Sequence, residues 1–125
     1  MKYLLDTHIW IWSVVKPKRL GPATLKLVKN QESDLWLSPI SSWEALTLHY
    51  KRRIEFDGEA SAWIAHATAG LKEAPLTHAI MLEARRLPLH QDPADRILAA
   101  TAMVLDMTLI TADERIRKWG KVRIV

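Results

Sequence analysis

Residues 2–15, KYLLDTHIWIWSVV, contain two apolar patterns separated by a single aspartate. The residues before Asp6 form a short apolar run, which has the length of a buried strand. The residues after it, THIWIWSVV, are long enough for a helix, and KPKRLGP then interrupts the pattern with two prolines. The stretch therefore predicts a strand over residues 2–5 that ends at an acidic side chain, followed by a helix that starts at Thr7.

The same alternation continues along the rest of the chain. Further strands are predicted for DLWLS at 34–38, TLIT at 108–111 and VRIV at 122–125, with KEAPL at 72–76 as a weak edge strand. Helices are predicted over residues 23–31, 39–53, 78–87 and 113–119, from Pro93 to about Asp106, and from a start at Asp57 and Gly58. Short strands that alternate with helices favour a parallel sheet covered by helices on both faces.

Helix starts and helix faces follow from the same patterns. Ser38 and Pro39 are a good N-cap and first-turn pair, and Thr77 starts the helix over 78–87. In the helix over 39–53, apolar and aromatic spacing predicts one stripe along Ile40, Trp43, Thr47 and Tyr50.

Length, charge and the absence of cysteine limit the classes of function. The 125 residues fit one domain, 1–125, and a net charge of +4 with a pI near 9.6 is compatible with a polyanionic partner. Without cysteine there is no disulfide, no thiolate metal site and no cysteine nucleophile, so the cytoplasm is the expected compartment and any metal has O or N ligands. No stretch approaches the ~20 apolar residues that span a bilayer, so no membrane association is expected.

Four acidic residues fall where a parallel sheet places its ligands, beyond the carboxyl ends of the strands. Asp6 ends the first strand and Asp113 follows TLIT, while Asp95 lies in the first turn of the helix before TLIT. Glu44 lies one turn into the helix that follows DLWLS, beside apolar neighbours where an unpaired carboxylate is costly. These four side chains are therefore expected to converge at one edge of the sheet.

Each of these acids also has a purely structural interpretation. Asp6 and Asp113 are suited to cap the helices that follow them, and Glu44 could be a solvated helix residue. In DPADRIL, residues 92–98, Asp92 has the position of an N-cap, Pro93 that of the first helical residue and Asp95 that of a first-turn acid facing the helix dipole.

Clustered carboxylates repel one another and persist in a folded protein mainly when protons or a cation neutralise them. With oxygen ligands and no cysteine, the expected cation is a hard one, Mg²⁺ or Mn²⁺. Such ions commonly hold phosphates. A carboxylate pocket on a basic protein therefore suggests phosphoryl or phosphodiester chemistry with a metal-activated water.

Four motifs in this order, LLDTHIW, SSWEAL, LHQDPADRILAATA and LITADERI, resemble those of the PIN domain nucleases and, within them, the VapC toxins of toxin-antitoxin pairs. The resemblance spans nearly the whole chain. Carried over by position, it identifies Asp6, Glu44, Asp95 and Asp113 as the catalytic and metal-binding acids. Thr7 and Thr111 are polar neighbours of the first and last of them.

The resemblance implies a three-layer α/β/α fold with a parallel sheet of about five strands. It also implies Mg²⁺- or Mn²⁺-dependent cleavage of RNA by a homodimer that an antitoxin protein inhibits. The alternative from another class is a catalytically silent PIN-fold module that binds RNA or a protein. A phosphoacceptor α/β domain is disfavoured because LLDTH lacks a second aspartate two residues after Asp6.

Several further residues have two interpretations each. Arg96 is either an ion-pair partner that orients Asp95 or a phosphate clamp, and Asp92 is either a cap or a fifth pocket acid. KRR at 51–53 is a solvated helix end or an RNA-backbone contact, and His90 lies near the acids as a candidate substrate contact. Three tryptophans in helices beside the pocket either pack in the core or line a dimer or antitoxin groove: Trp10, Trp12 and Trp43.

Overall fold

The computed structural model describes residues 1–89 and 92–125. These residues form four strands, namely β1 (Lys2–Leu5), β2 (Asp34–Leu37), β3 (Lys72–Glu73) and β4 (Thr108–Ile110). They also form seven α-helices, namely α1 (Thr7–Val15), α2 (Pro22–Lys29), α3 (Pro39–Tyr50), α4 (Ala60–Ala67), α5 (His78–Arg86), α6 (Pro93–Val104) and α7 (Glu114–Trp119). A short 3₁₀ turn, Pro17–Arg19, follows α1. In this part of the chain, no helix is both long and apolar enough to span a bilayer.

The strands form one parallel sheet in the order β3-β2-β1-β4. The weak strand predicted over 72–76 is an edge strand, as expected, but it extends only over Lys72–Glu73. The strand predicted over 122–125 is reduced to one bridge between Ile124 and Leu109, so the described sheet has four strands rather than about five. Gly120, in the left-handed conformation, ends α7 just before this segment.

Helices cover both faces of the sheet, which confirms the predicted α/β/α fold. Leu4 and Leu5 are adjacent in β1, so their side chains point to opposite faces. Leu5 packs in a core with Trp10 of α1 and Trp63 of α4. Leu4 packs in a second core with Leu98 of α6. A third cluster joins α5 to α6.

Side-chain caps start the helices that surround the carboxyl edge of the sheet. A backbone N–H at the start of the following helix donates to each of five capping side chains: Asp6, Ser38, Thr77, Asp92 and Asp113. The capping roles predicted for Ser38, Thr77 and Asp92 are therefore confirmed. Asp6 and Asp113 have the structural role that the sequence offered as an alternative, and their carboxylates remain available to the site described below.

The structure corrects two details of the helices predicted around α3 and α4. The helix predicted to reach Arg53 ends at Tyr50, because Arg52 takes a left-handed conformation (φ 58°) that a helix cannot continue. The helix expected from Asp57 and Gly58 begins only at Ala60.

The stripe predicted along α3 is also corrected. Trp43 is 67% exposed and Tyr50 is 88% exposed, whereas Ser41 and Ala45 are buried. Ile40 of the predicted stripe packs against the second core, whereas the two aromatic rings lie on the outer face of the helix.

Candidate active site

The acids at the ends of β1 and β4 lie where the strand order changes direction. From β1 the chain continues to β2 on one side, whereas β4 lies on the other side of β1. Crevices form at such a switch point, beyond the carboxyl ends of the two central strands. The backbone N–H of Asp6 donates to Ile110 O at 2.9 Å, which fixes the end of β1 against the end of β4. Asp6 and Asp113 therefore flank one crevice.

The crevice is a cavity of about 310 Å³, called the acidic pocket below. Its lining residues are Asp6, His8, Trp12, Glu44, Asp92, Asp95, Ala112, Asp113 and Arg115. The structure thus brings together all four acids expected from the sequence, and it adds Asp92. Four sections of the chain contribute them: the end of β1, α3, the start of α6 and the end of β4.

Asp6 is a buried residue of the acidic pocket that two hydrogen bonds hold in place. The Thr7 backbone N–H donates to its Oδ1 at 2.7 Å, and the Thr111 hydroxyl donates to its Oδ2 at 2.6 Å. Only 6% of Asp6 is exposed, and this burial raises its pKa although the two hydrogen bonds oppose the change. Thr111 also accepts from the Asp113 backbone N–H at 3.0 Å, so one hydroxyl connects the two acids.

Glu44 is held by hydroxyl groups from α1 and α3. The Thr7 hydroxyl donates to Glu44 Oε1 and lies 2.8 Å from the Ser41 hydroxyl. Because the Thr7 hydroxyl has a single proton, Ser41 is the donor to Thr7. Burial raises the pKa of Glu44; the Thr7 hydrogen bond lowers it, and the charges of Asp92, Asp95 and Asp6 raise it further.

Asp113 and Asp95 share a cation. Arg115 donates to Asp113 from its backbone N–H (2.8 Å to Oδ1) and from Nη2 (3.3 Å to Oδ2). The same Nη2 lies 3.6 Å from Asp95 Oδ2. Burial alone would raise the pKa of Asp113, but the hydrogen bonds from Arg115 lower it below its usual value. Arg115 therefore compensates part of the negative charge on this side of the acidic pocket.

Asp92 is both the cap of a helix and a residue of the acidic pocket, the two interpretations that the sequence left open. Its Oδ1 accepts from the Ala94 backbone N–H at 3.0 Å, which makes it the cap of α6. It also lines the acidic pocket.

Arg96 corrects the sequence-based expectation that it faces the acids. Its guanidinium donates to the carbonyl oxygens of Ala84 (3.0 Å), Leu89 (2.8 Å) and Arg85 (2.8 Å). These acceptors belong to α5 and the segment after it, and Arg96 is not among the described residues that line the acidic pocket. Neighbouring residues on a helix point about 100° apart, and here Asp95 lines the acidic pocket while the Arg96 side chain extends towards α5. Arg96 connects α5 to α6.

Sequence reasoning missed Ser41, Arg115 and the pocket-lining role of His8. Ser41 precedes Glu44 by three residues, so helical spacing places both on one face of α3 and could have identified it. Arg115 follows Asp113 by two residues at the start of α7. Residues two apart do not face each other on a regular helix, so the spacing did not predict this contact. His90 was expected near the acids and lies outside the described residues.

The donor set of the acidic pocket fits a hard divalent cation. Its carboxylates and the adjacent threonine hydroxyls offer oxygen ligands, which Mg²⁺ and Mn²⁺ prefer, and His8 adds a ring nitrogen to the lining. Within residues 1–89 and 92–125, no three acidic or histidine side chains lie close enough together to hold a metal ion as they stand. Mg²⁺ usually binds proteins through one or two carboxylates and keeps several waters, so this arrangement is compatible with it.

Because its carboxylates meet at the switch point of a parallel sheet, this chain is an α/β protein with a candidate cation-binding site. A family model of the PIN domain matches residues 3–122, and the chain belongs to this family. Ribonuclease VapC22 of Mycobacterium tuberculosis (strain ATCC 25618 / H37Rv) is 29% identical over 116 residues, which cover 91% of this chain and 88% of that protein. The resemblance to PIN domains and VapC toxins stated from the sequence is confirmed.

Solved structures show the same fold. One is VapBC2 from Rickettsia felis bound to a DNA fragment from its promoter, with a TM-score of 0.74, 16% identity and coverage of 100% of this chain and 98% of that chain. Another is VapBC-1 from nontypeable Haemophilus influenzae, with a TM-score of 0.70, 17% identity and coverage of 100% and 97%. At these identities the similarity establishes the fold alone.

Proposed function

We propose that this protein is a metal-dependent endoribonuclease and acts as the toxin of a type II toxin-antitoxin system. One observation carries the proposal: four separate sections of a PIN domain place acids in a single cavity at the switch point of the sheet. In this proposal the catalytic and metal-binding residues are Asp6, Glu44, Asp95 and Asp113. The relative named ribonuclease VapC22 supports RNA as the substrate.

The proposed reaction is hydrolysis of an RNA phosphodiester bond. A bound Mg²⁺ or Mn²⁺ would supply activation of a water molecule and compensation of the charge that develops on the phosphate. Asp6 is oriented for this role by Thr7 and Thr111, and Glu44 by Thr7, so both carboxylates are positioned before any ligand arrives. Arg115 is placed to contact a phosphate that enters beside Asp95 and Asp113.

A silent binding module is the second candidate function, and the electrostatics of the pocket argue against it. Burial and neighbouring carboxylates raise the pKa of Asp6 and of Glu44, which means that keeping these groups ionised is unfavourable. A module that only binds RNA would bind its polyanionic ligand better without this negative charge.

The test is cleavage of total RNA by the purified protein in Mg²⁺ or Mn²⁺ and in excess chelator. We expect cleavage with either metal and a loss of at least about 100-fold in chelator, because the carboxylates alone supply neither the activated water nor the compensating charge. A protein that binds RNA but leaves it intact with both metals would be the silent module. Undiminished cleavage in chelator would contradict the metal-dependent mechanism.

The proposed partners are RNA, a protein antitoxin and a second copy of this chain, in the cytoplasm. The solved relatives support the antitoxin, since one of them is described as a toxin-antitoxin complex from Klebsiella pneumoniae, with a TM-score of 0.68. An antitoxin could inhibit by placing Arg or Lys near the acids, because a cation can replace the charge of the metal. The exposed Trp43 and Tyr50 on the outer face of α3 support a homodimer or antitoxin contact.

The raised pKa values of Asp6 and Glu44 predict opposite effects of pH on stability and on cleavage. Because the pKa of each group is higher in the folded protein than in the unfolded chain, the folded protein binds more protons in the pH range between the two values. Acidification from neutral pH therefore stabilises the metal-free protein and weakens metal binding, so that cleavage falls. Asp113 has a lowered pKa, and its contribution to stability is lost only at lower pH.

The expectation is checked by measuring the thermal midpoint in chelator and the cleavage rate in Mn²⁺. Both are measured from pH 7 down to pH 4.5, the usual pKa of Glu. The matched variant is Glu44→Gln, which keeps an acceptor for Thr7 and removes the titrating group. We expect its midpoint to rise less on acidification than that of the wild type. An equal rise in both proteins would show that Glu44 does not have the raised pKa.

A further inference from the structure

A second, larger cavity adjoins the acidic pocket. It has a volume of about 760 Å³, lies between α1 and the end of α3, and is called the basic groove below. Its lining residues are His8, Ile11, Trp12, Val15, Lys16, Arg19, Leu48, Arg52, Arg53, Ile54 and Glu55. His8 and Trp12 line both cavities, so the two are neighbours.

The charge of the basic groove is strongly one-sided. Lys16, Arg19, Arg52 and Arg53 face a single acidic residue, Glu55. In the ranges 1–89 and 92–125, these four cations form no ion pair with a carboxylate, whereas Lys72, Arg86, Arg115 and Arg123 do.

The backbone gathers these charges from two helix ends. Lys16 is the C-cap of α1, Arg19 ends the 3₁₀ turn, and Arg52 and Arg53 follow the end of α3. The helix dipole stabilises cations at helix C-termini, and this explains why each helix end carries positive charge. It does not account for the convergence of two helix ends on one groove.

An aromatic ring lies at the junction of the two cavities. The guanidinium carbon of Arg19 is 4.5 Å from the centre of the Trp12 ring, and the His8 ring centre is 5.8 Å from it. Single-stranded nucleic acids are bound by positively charged grooves that follow the backbone and by aromatic rings on which bases stack. Cations, an aromatic ring and a cavity of acids follow one another in that order.

We infer that the basic groove binds the backbone of single-stranded RNA on one side of the phosphate that enters the acidic pocket, with a base against Trp12. This inference rests on the proposed function and names the residues that position its substrate. An acidic peptide would also suit the charge of the groove. RNA is favoured because the basic groove and the acidic pocket share His8 and Trp12, so that a strand bound in the groove lies next to the acids.

The test compares two pairs of substitutions that remove the same charge. Arg52→Gln with Arg53→Gln alters the basic groove. Lys26→Gln with Lys29→Gln alters exposed positions on α2 that do not line it. Both pairs are made in the Asp95→Asn background and measured in chelator, so that the RNA stays intact. The dissociation constant for a single-stranded RNA oligonucleotide is measured as a function of salt.

We expect the groove pair to bind RNA about 10-fold more weakly at low salt, with a log–log salt slope that is smaller by about 1.4, since two phosphate contacts are lost. The control pair should change affinity by less than about twofold. Equal affinities and slopes for both pairs would overturn the inference. Poly-L-glutamate is the probe for an acidic peptide. If the groove pair lost binding to poly-L-glutamate but bound RNA as before, the inference would also be overturned.

Failure of this inference is distinguishable from failure of the proposed function. Cleavage by the wild type in Mg²⁺ or Mn²⁺ tests the function, whereas the salt slope requires no cleavage. If the wild type cleaves RNA but the groove pair binds RNA like the control pair, only the RNA-binding role of the basic groove is refuted.

Discussion

Replacing Asp95 by asparagine is expected to lower RNA cleavage by about 100-fold or more while leaving the metal-free protein as stable as before or slightly more stable. Asparagine keeps the shape of the side chain and removes one negative charge from the acidic pocket. That charge is among those that raise the pKa of Glu44, so its loss relieves repulsion. The ion pair with Arg115 that is lost has its cation 63% exposed, and such pairs contribute about 1 kcal/mol or less.

Asp92→Ala is the matched control for Asp95→Asn, because both residues lie at the start of α6. Loss of the cap should lower the free energy of unfolding by about 1 kcal/mol and reduce cleavage only moderately. The measurements are the thermal midpoint in chelator and the cleavage rate in Mg²⁺ for both variants. If Asp95→Asn kept near-normal cleavage and lost stability like a broken cap, Asp95 would not be a catalytic residue.

Replacing Arg96 by leucine is expected to lower the free energy of unfolding by about 3 kcal/mol. Arg96 is 9% exposed, and its guanidinium satisfies the carbonyl oxygens of Ala84, Arg85 and Leu89. Leucine supplies no donor, so these carbonyls lose their charged partner where α5 meets α6. A buried polar group that loses its partner costs more than the hydrogen bond contributes.

Arg86→Leu is the control for this substitution, since Arg86 also belongs to the α5 region but its side chain is 79% exposed. Its loss should change stability by less than about 1 kcal/mol. Chemical denaturation of the two variants and the wild type measures the difference. A stable Arg96→Leu variant that has lost cleavage would restore the phosphate-clamp interpretation of Arg96.

The fold and the positions of Asp6 and Asp113 were predictable from the sequence because both follow from local patterns. A strand that ends at an acid, such as 2–5 with Asp6, fixes the position of that acid at the sheet edge regardless of how the helices pack. The same holds for Asp113 after TLIT. Their capping roles and their place in the pocket are compatible, since each carboxylate oxygen can accept from more than one donor. In Asp6, Oδ1 accepts from Thr7 and Oδ2 from Thr111, and each oxygen keeps a second acceptor site.

Two of the expectations that failed depended on which face of a helix is buried. Trp43 and Tyr50 fit an apolar stripe on α3, yet they are exposed, whereas Ser41 and Ala45 are buried. Arg96 is adjacent to Asp95 in sequence, and adjacency on a helix separates side chains rather than pairing them. The exposed rings on α3 and the contact of Arg96 with α5 cannot be predicted from hydrophobicity alone, since both depend on which elements pack against each helix.

The most direct test of the central claim is the initial rate of cleavage of one labelled single-stranded RNA as Mn²⁺ is increased from zero in chelator-treated buffer. It is measured side by side for the wild type and Asp95→Asn. The account predicts no cleavage by the wild type without metal, a rate that rises and saturates with Mn²⁺, and a nearly flat curve for Asp95→Asn. Metal-independent cleavage by the wild type, or two superimposable curves, would contradict the assignment of the acidic pocket as a metal-dependent ribonuclease site.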